Sequence, residues 1–204
     1  MCSSDIEPVP SRDQWLSIII PAYNEAAAIA AILDKVAAVD VPLAKELIIV
    51  DDASRDATAS IVDDWIRRNP SVRARLVRHE SNAGKGAAVR TGIAAATGDI
   101  LLIQDADLEY EPNDYPAILG PILEGPATVV YGSRLAAQSR PEWLGVSQRL
   151  ANRVLTGLTN LLCGSRLTDM ETCYKAFRAE AIKPLRLTAR RFEIEPEMTI
   201  KLLR

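Results

Sequence analysis

The hydrophobic pattern along the chain alternates between two kinds of segment. Short runs that are mostly apolar, without helical spacing and rich in isoleucine, leucine and valine, occur at residues 16–20 (LSIII), 46–50 (ELIIV), 99–104 (DILLIQ) and 128–131 (TVVY). Residues 72–78 alternate apolar and basic positions, as in a strand with one solvated face. Between these runs lie longer segments with helical spacing, at residues 25–39, 56–68, 84–96 and 113–123. Strands that are mostly apolar and separated by helices predict a mostly parallel sheet covered on both faces, an α/β doubly wound domain. Beyond Tyr131 the pattern changes. Residues 133–147 read as a polar loop, and residues 148–163 as a helix with Leu150, Val154, Leu158 and Leu161 on one face. A last short unit ends in a helix at Arg204. Residues 1–15 read as a loose arm and residues 16–204 as one domain.

Ligands of such sheets bind beyond the carboxyl ends of the strands. Three strands end in polar clusters that would share that edge: residues 21–25 (PAYNE), 51–54 (DDAS) and 105–107 (DAD). Asp105 and Asp107, two apart in extended backbone, would point to one side, and Glu109 could complete a shell of hard oxygen ligands for Mg²⁺ or Mn²⁺. An acidic turn ahead of a helix would give the same residues. Asp52 would meet a nucleobase N–H or ribose hydroxyls, or else cap the next helix. In residues 82–86 (NAGKG), two glycines would let backbone approach a ligand and Lys85 would bring positive charge near a helix start; a plain turn reads equally well. The segment is not a Walker loop. Arg134, after another strand end, could hold a diphosphate oxygen or be a solvated surface residue.

Composition narrows the classes. The 204 residues carry a formal net charge of −3, which argues against nucleic acid as the main partner. Three cysteines without zinc spacing make a disulfide framework or zinc site a poor reading and a reducing cytoplasmic compartment the default. His79 is the only histidine and reads as structural rather than catalytic. No apolar stretch has the ~18 residues needed to span a bilayer. Any membrane association would then be peripheral, on the cytoplasmic face, or supplied by a membrane-protein partner; a homo-oligomer is also open.

Taken together, the stretches IIIPAYNEAAAI, LIIVDDASRDAT, NAGKGAAVRTGI, GDILLIQDADLEY, VVYGSR and TDMETCYKAFR resemble, in order and spacing, a family 2 glycosyltransferase of the GT-A (Rossmann-like) fold. DADLEY and TDMETCYKAFR resemble most the polyprenyl- and dolichyl-phosphate sugar transferases. The resemblance implies an inverting enzyme that moves a sugar from a UDP- or GDP-linked donor to a polyprenyl or dolichyl phosphate at the membrane surface. It implies that Pro21, Tyr23, Glu25, Val50 and Asp52 hold the nucleoside, and that Asp105, Asp107 and Glu109 manage the metal and donor phosphates. Arg134 would bind diphosphate, Asp169 would lie near the reaction centre, and Glu195 in RFEIEPEM would face the acceptor. Residues 132–204 would form the acceptor side. Relatives usually continue past the segment matching residues 192–204, so a minimal chain or a fragment is expected. An acceptor phosphate is already anionic near neutral pH, its second pKa being ~6, and needs no histidine base. Other readings are the same donor chemistry with a polysaccharide, protein or small-molecule acceptor, and a donor-binding module without turnover. A nucleotidyltransferase would carry its glycine-rich loop where this chain has PAYNE.

Overall fold

The computed structural model describes residues 14–133, 146–165, 167–170 and 172–204. The first five elements repeat strand and helix: β1 (Trp15–Ala22), α1 (Ile29–Ala38), β2 (Ala44–Asp51), α2 (Thr58–Arg68) and β3 (Ala74–Arg78). Then follow α3 (Lys85–Ala95), β4 (Ile100–Ile103), α4 (Tyr115–Leu123), entered through a single 3₁₀ turn, and β5 (Val129–Tyr131). The chain ends with α5 (Val146–Cys163), β6 (Lys175–Arg178), α6 (Ala179–Ile182) and α7 (Ile194–Leu202). The six strands form one sheet in the order β3-β2-β1-β4-β6-β5. Strands β1 to β4 are mutually parallel, and β6 runs antiparallel between β4 and β5. The expected α/β fold, with a mostly parallel sheet and helices on both faces, is what forms. Strand β6 is an addition that the sequence pattern did not predict, because Lys175 interrupts a run too short to read as a strand.

Period-two alternation builds two cores. Leu16, Ile18 and Ile20 of β1, Leu47 and Ile49 of β2, and Ile100 and Leu102 of β4 point to the face covered by α1, α2 and α4. Ile19, Ile48, Val50, Leu101, Ile103 and Phe177 point to the other, covered by α3, α6 and α7. Helix α1 shows why it belongs there: Ile29, Ile32, Leu33 and Val36 form a single buried stripe. At the amino end of the sheet a buried carboxylate, Glu46, ties strands to a turn. It accepts hydrogen bonds from Ser17 Oγ at 2.6 Å and from the Thr97 amide at 2.6 Å. Burial would raise its pKa, but these donors and Arg73 outweigh burial and hold it below the usual carboxylate range.

Helix α5 departs from the usual amphipathic arrangement. Asn152, Thr156 and Thr159 are buried, whereas Val154, Leu158 (51% exposed) and Leu161 (80% exposed) face outward. The inward polar side chains serve the segment that follows. Asn152 Nδ2 donates to Asp169 Oδ1 at 2.8 Å, and Thr156 Oγ1 accepts from the Met170 amide at 3.1 Å. Asn160 brackets Leu167 with two bonds of 2.8 Å. A loop tucked under a helix must find partners for its backbone groups, and these side chains supply them. The side chains of Arg149 and Leu150, like residues Arg134 and Arg166, lie outside the described residues.

Candidate active site

Three strand ends converge, as the polar clusters predicted. The ends of β1, β2 and β4 surround a cavity of about 480 Å³ whose lining includes Pro21, Tyr23, Glu25, Asp52, Lys85, Asp105 and Asp107, together with Arg191 and Phe192. The first two loops are stitched to each other. Ser54 Oγ accepts from the Asn24 amide at 2.9 Å, Asn24 Oδ1 from the Arg55 amide at 2.8 Å, and Thr58 Oγ1 from the Glu25 amide at 2.8 Å. Asn24 (φ 58°) and Ala53 (φ 59°) both adopt left-handed backbone here. For an alanine that conformation costs about 1 kcal/mol, and the cross-loop bonds hold it in place.

The third loop follows β3. Lys85 Nζ lies 2.8 Å from Asp105 Oδ1 and 3.1 Å from Oδ2, within 2.9 Å of Cys173 Sγ and 3.7 Å from Glu195 Oε1. Burial would draw the Lys85 pKa down, but Asp105 and its neighbours raise it well above the ordinary value, so the ammonium keeps its charge. Burial, then Asp105, push the Cys173 thiol up and keep it protonated. Glu195 is buried and bonded to the fully buried Lys175, linking α7 to β6. That pair left no mark in the sequence, where a lysine and a glutamate twenty residues apart carry no periodic signal.

Gly84 lines the cavity, and the glycines of this loop also make room for another part of the chain. A Cβ on Gly84 would lie 2.4 Å from the Arg190 carbonyl oxygen, and one on Gly86 would lie 2.7 Å from that of Ala189. The Ala87 amide donates to the Arg190 oxygen at 3.1 Å. The chain's own backbone at residues 189–191 therefore fills the space the glycines leave. Glu197 fastens this clasp by accepting from the amides of Thr188 and Ala189, the latter at 2.7 Å.

Asp105 and Asp107 sit on one rim, but the backbone between them is not extended: β4 ends at Ile103 and the chain bends from Ala106 onward. Asp107 Oδ1 accepts the Glu109 amide at 3.0 Å, and Glu109 is exposed and is not among the cavity-lining residues. Burial first, then Asp105, raise the Asp107 pKa; burial, then Asp107 and Asp105, raise that of Glu25. Such a crowd of carboxylates favours a cation. Among the described residues no three potential ligands are gathered into a cage. Carboxylate oxygens are the hard donors that Mg²⁺ and Mn²⁺ take, commonly alongside diphosphate oxygens and water. Val50 is buried in the second core rather than in the cavity wall. Asp169 is buried beneath α5 on Asn152. Arg134 lies outside the described residues.

Comparison with known proteins agrees with this geometry. Residues 17–186 match the model of glycosyl transferase family 2. The dolichyl-phosphate beta-glucosyltransferase of Dictyostelium discoideum is 30% identical over 187 residues, 85% of this chain and 57% of that protein. A UDP-N-acetylglucosamine–dolichyl-phosphate N-acetylglucosaminyltransferase of Methanococcus voltae is 30% identical over 203 residues, 92% of this chain and 80% of that one. Among solved structures, glucosyl-3-phosphoglycerate synthase of Mycobacterium tuberculosis in complex with UDP superposes with a TM-score of 0.69 at 26% identity, covering 94% of this chain and 64% of that one. The same enzyme has been solved with Mn²⁺, UDP and phosphoglyceric acid. The chain thus spans a little over half the length of some relatives it matches, 57% in the first of these. Strand order, cavity and sequence match together make this chain a member of glycosyl transferase family 2, with the GT-A fold.

Proposed function

We propose that the chain moves a sugar, with inversion, from a UDP- or GDP-linked donor to a polyprenyl or dolichyl phosphate. The observation that carries this reading is the cavity at the ends of β1, β2 and β4, lined by Asp52 beyond β2 and by Asp105 and Asp107 beyond β4, on either side of β1. Its length of wall offers an acceptor for base or ribose and carboxylates for a cation-bound diphosphate. Pro21, Tyr23 and Glu25 would flank the nucleoside. Asp107 would be the principal protein ligand of Mg²⁺ or Mn²⁺, because Asp105 is engaged by Lys85. A bound divalent ion supplies the positive charge that the departing nucleoside diphosphate needs. In the step itself an acceptor phosphate oxygen bonds to the anomeric carbon as the bond from that carbon to the diphosphate oxygen breaks. The acceptor oxygen is already anionic, so no protein base is required. Arg134 is proposed as a diphosphate contact, and residues 132–204, with Asp169 and Glu195, as the acceptor side.

The acceptor reading draws support from α5 and from the relatives whose names include dolichyl phosphate. Exposed Val154, Leu158 and Leu161 beside exposed Arg153 suit a helix resting on anionic lipid. Among the described residues no helix is long and apolar enough to cross a membrane. A second reading, transfer to a soluble phosphorylated acid, is favoured by the likeness to the synthase solved with phosphoglyceric acid. Incubation with a panel of UDP- and GDP-sugars, with short polyprenyl phosphates or phosphoglyceric acid, distinguishes them. Glycolipid formation with metal-dependent nucleotide release is expected. Product only with the soluble acid would select the second reading, and none with any donor would remove the catalytic reading.

A further inference from the structure

His79 follows β3 directly, and its amide extends the β2–β3 ladder by donating to the Asp51 oxygen at 2.9 Å. Its ring is mostly buried and held at both nitrogens. Nδ1 lies 2.7 Å from Asp52 Oδ1, and Nε2 lies 2.9 Å from Thr91 Oγ1 on α3. Asp52 receives two further donors, the Ala83 amide at 2.9 Å on Oδ1 and the Gly84 amide at 2.7 Å on Oδ2. Asp52 is therefore an acceptor throughout, which places the imidazole proton on Nδ1; the Thr91 hydroxyl serves Nε2. Each carboxylate oxygen has two lone pairs. Oδ1 is filled by His79 and Ala83, so the remaining acceptor capacity lies on Oδ2, in a residue that lines the cavity.

We propose that His79 is a positioning residue of the donor site, acting through Asp52: it fixes the carboxylate so that Oδ2 is presented to a nucleoside N–H or hydroxyl, and so that the loop at residues 82–84 carries Lys85 onto Asp105. The inference rests on the nucleotide-sugar reading of the cavity. His79 itself does not line that cavity, so its effect reaches the ligand only through Asp52. It is a second task for a residue whose burial alone would suggest packing.

The variants separate these roles. Asparagine places its amide nitrogen near the position of imidazole Nδ1, whereas glutamine reaches the position of Nε2. His79→Asn should keep the donor to Asp52, and His79→Gln only the contact with Thr91. Calorimetry with UDP and GDP, in the presence of Mg²⁺ or Mn²⁺, should show affinity for the bound nucleotide about tenfold weaker in His79→Ala and His79→Gln, and within about threefold of wild type in His79→Asn. Because the chain has a single histidine, imidazole ¹⁵N spectra report this ring alone. They should show the Nδ1–H tautomer in the unliganded protein and a shift on nucleotide addition. Wild-type binding with all three variants equally tight would overturn the proposal, as would an Nε2–H tautomer. Should His79→Ala fail to fold, the asparagine–glutamine difference decides. Wild type that binds neither UDP nor GDP would instead overturn the donor reading, and this proposal with it.

Discussion

At the scale of single residues, the carboxylates of the cavity have unequal surroundings and should behave unequally when changed. Asp105 is matched by Lys85, while Asp107 is crowded by burial and by Asp105. Asp107→Asn is expected to cut turnover by at least ~10²-fold, the size of a lost transition-state charge contact. Its raised pKa means that the ionised side chain is held at a cost in the folded chain, so the melting temperature without nucleotide should stay level or rise slightly. A calorimetric scan beside a turnover assay checks both; full turnover in the variant, or in excess chelator, would remove the metal role. The DAD motif was legible in the sequence, but the inequality of its two carboxylates was not. It arises from Lys85, whose approach to Asp105 depends on a loop twenty residues away. Asp52 is similar: its acceptor chemistry could be read from the strand end, but its donors, His79 and two loop amides, are supplied by the fold.

At the scale of elements, α5 is the informative case. Leucine spacing predicted an apolar face, and a helix of a globular domain ordinarily turns such a face inward. Here the polar face is inward because Leu167, Asp169 and Met170 need its amides and hydroxyls. The exposed face is then available to lipid. Flotation with anionic vesicles at low salt should carry wild-type protein upward, and high salt or Arg153→Glu (with Arg149→Glu) should weaken it. Leu158→Ser with Leu161→Ser should abolish flotation while leaving nucleotide affinity unchanged. Wild type that stays at the bottom of the gradient at low salt would leave the face to a second copy or a membrane-protein partner, which sedimentation of the isolated chain would reveal.

At the scale of the whole molecule, the carboxyl-terminal segment is fastened to the donor loop by a clasp with a charged pin. Burial acts to raise the Glu197 pKa, but Lys201 and the Thr188 and Ala189 amides outweigh it and bring it to about 2. The folded value lies below the unfolded one near 4.3, so Glu197 contributes stability that is fully present above that pH and is lost as pH falls toward about 2. Urea unfolding of wild type and Glu197→Gln should therefore differ at pH 7, and the gap should shrink at pH 3. An equal gap at both values would mean that packing, not the ionised clasp, sets the difference.

The sequence by itself determined the strand–helix alternation, the α/β class, the family and the three strand ends that meet at the cavity. These follow from local patterns: a buried strand is mostly apolar, and its polar residues cluster where it emerges. Tertiary structure alone decided which groups face each other across the chain. It set β6 antiparallel beside β4, paired Lys175 with Glu195, packed residues 189–191 over Gly84 and Gly86, and turned Leu158 and Leu161 of α5 outward. Each of these joins segments far apart in sequence, where a residue's partner is chosen by the space and unpaired hydrogen-bonding groups that other segments leave. No spacing rule along the chain encodes that choice.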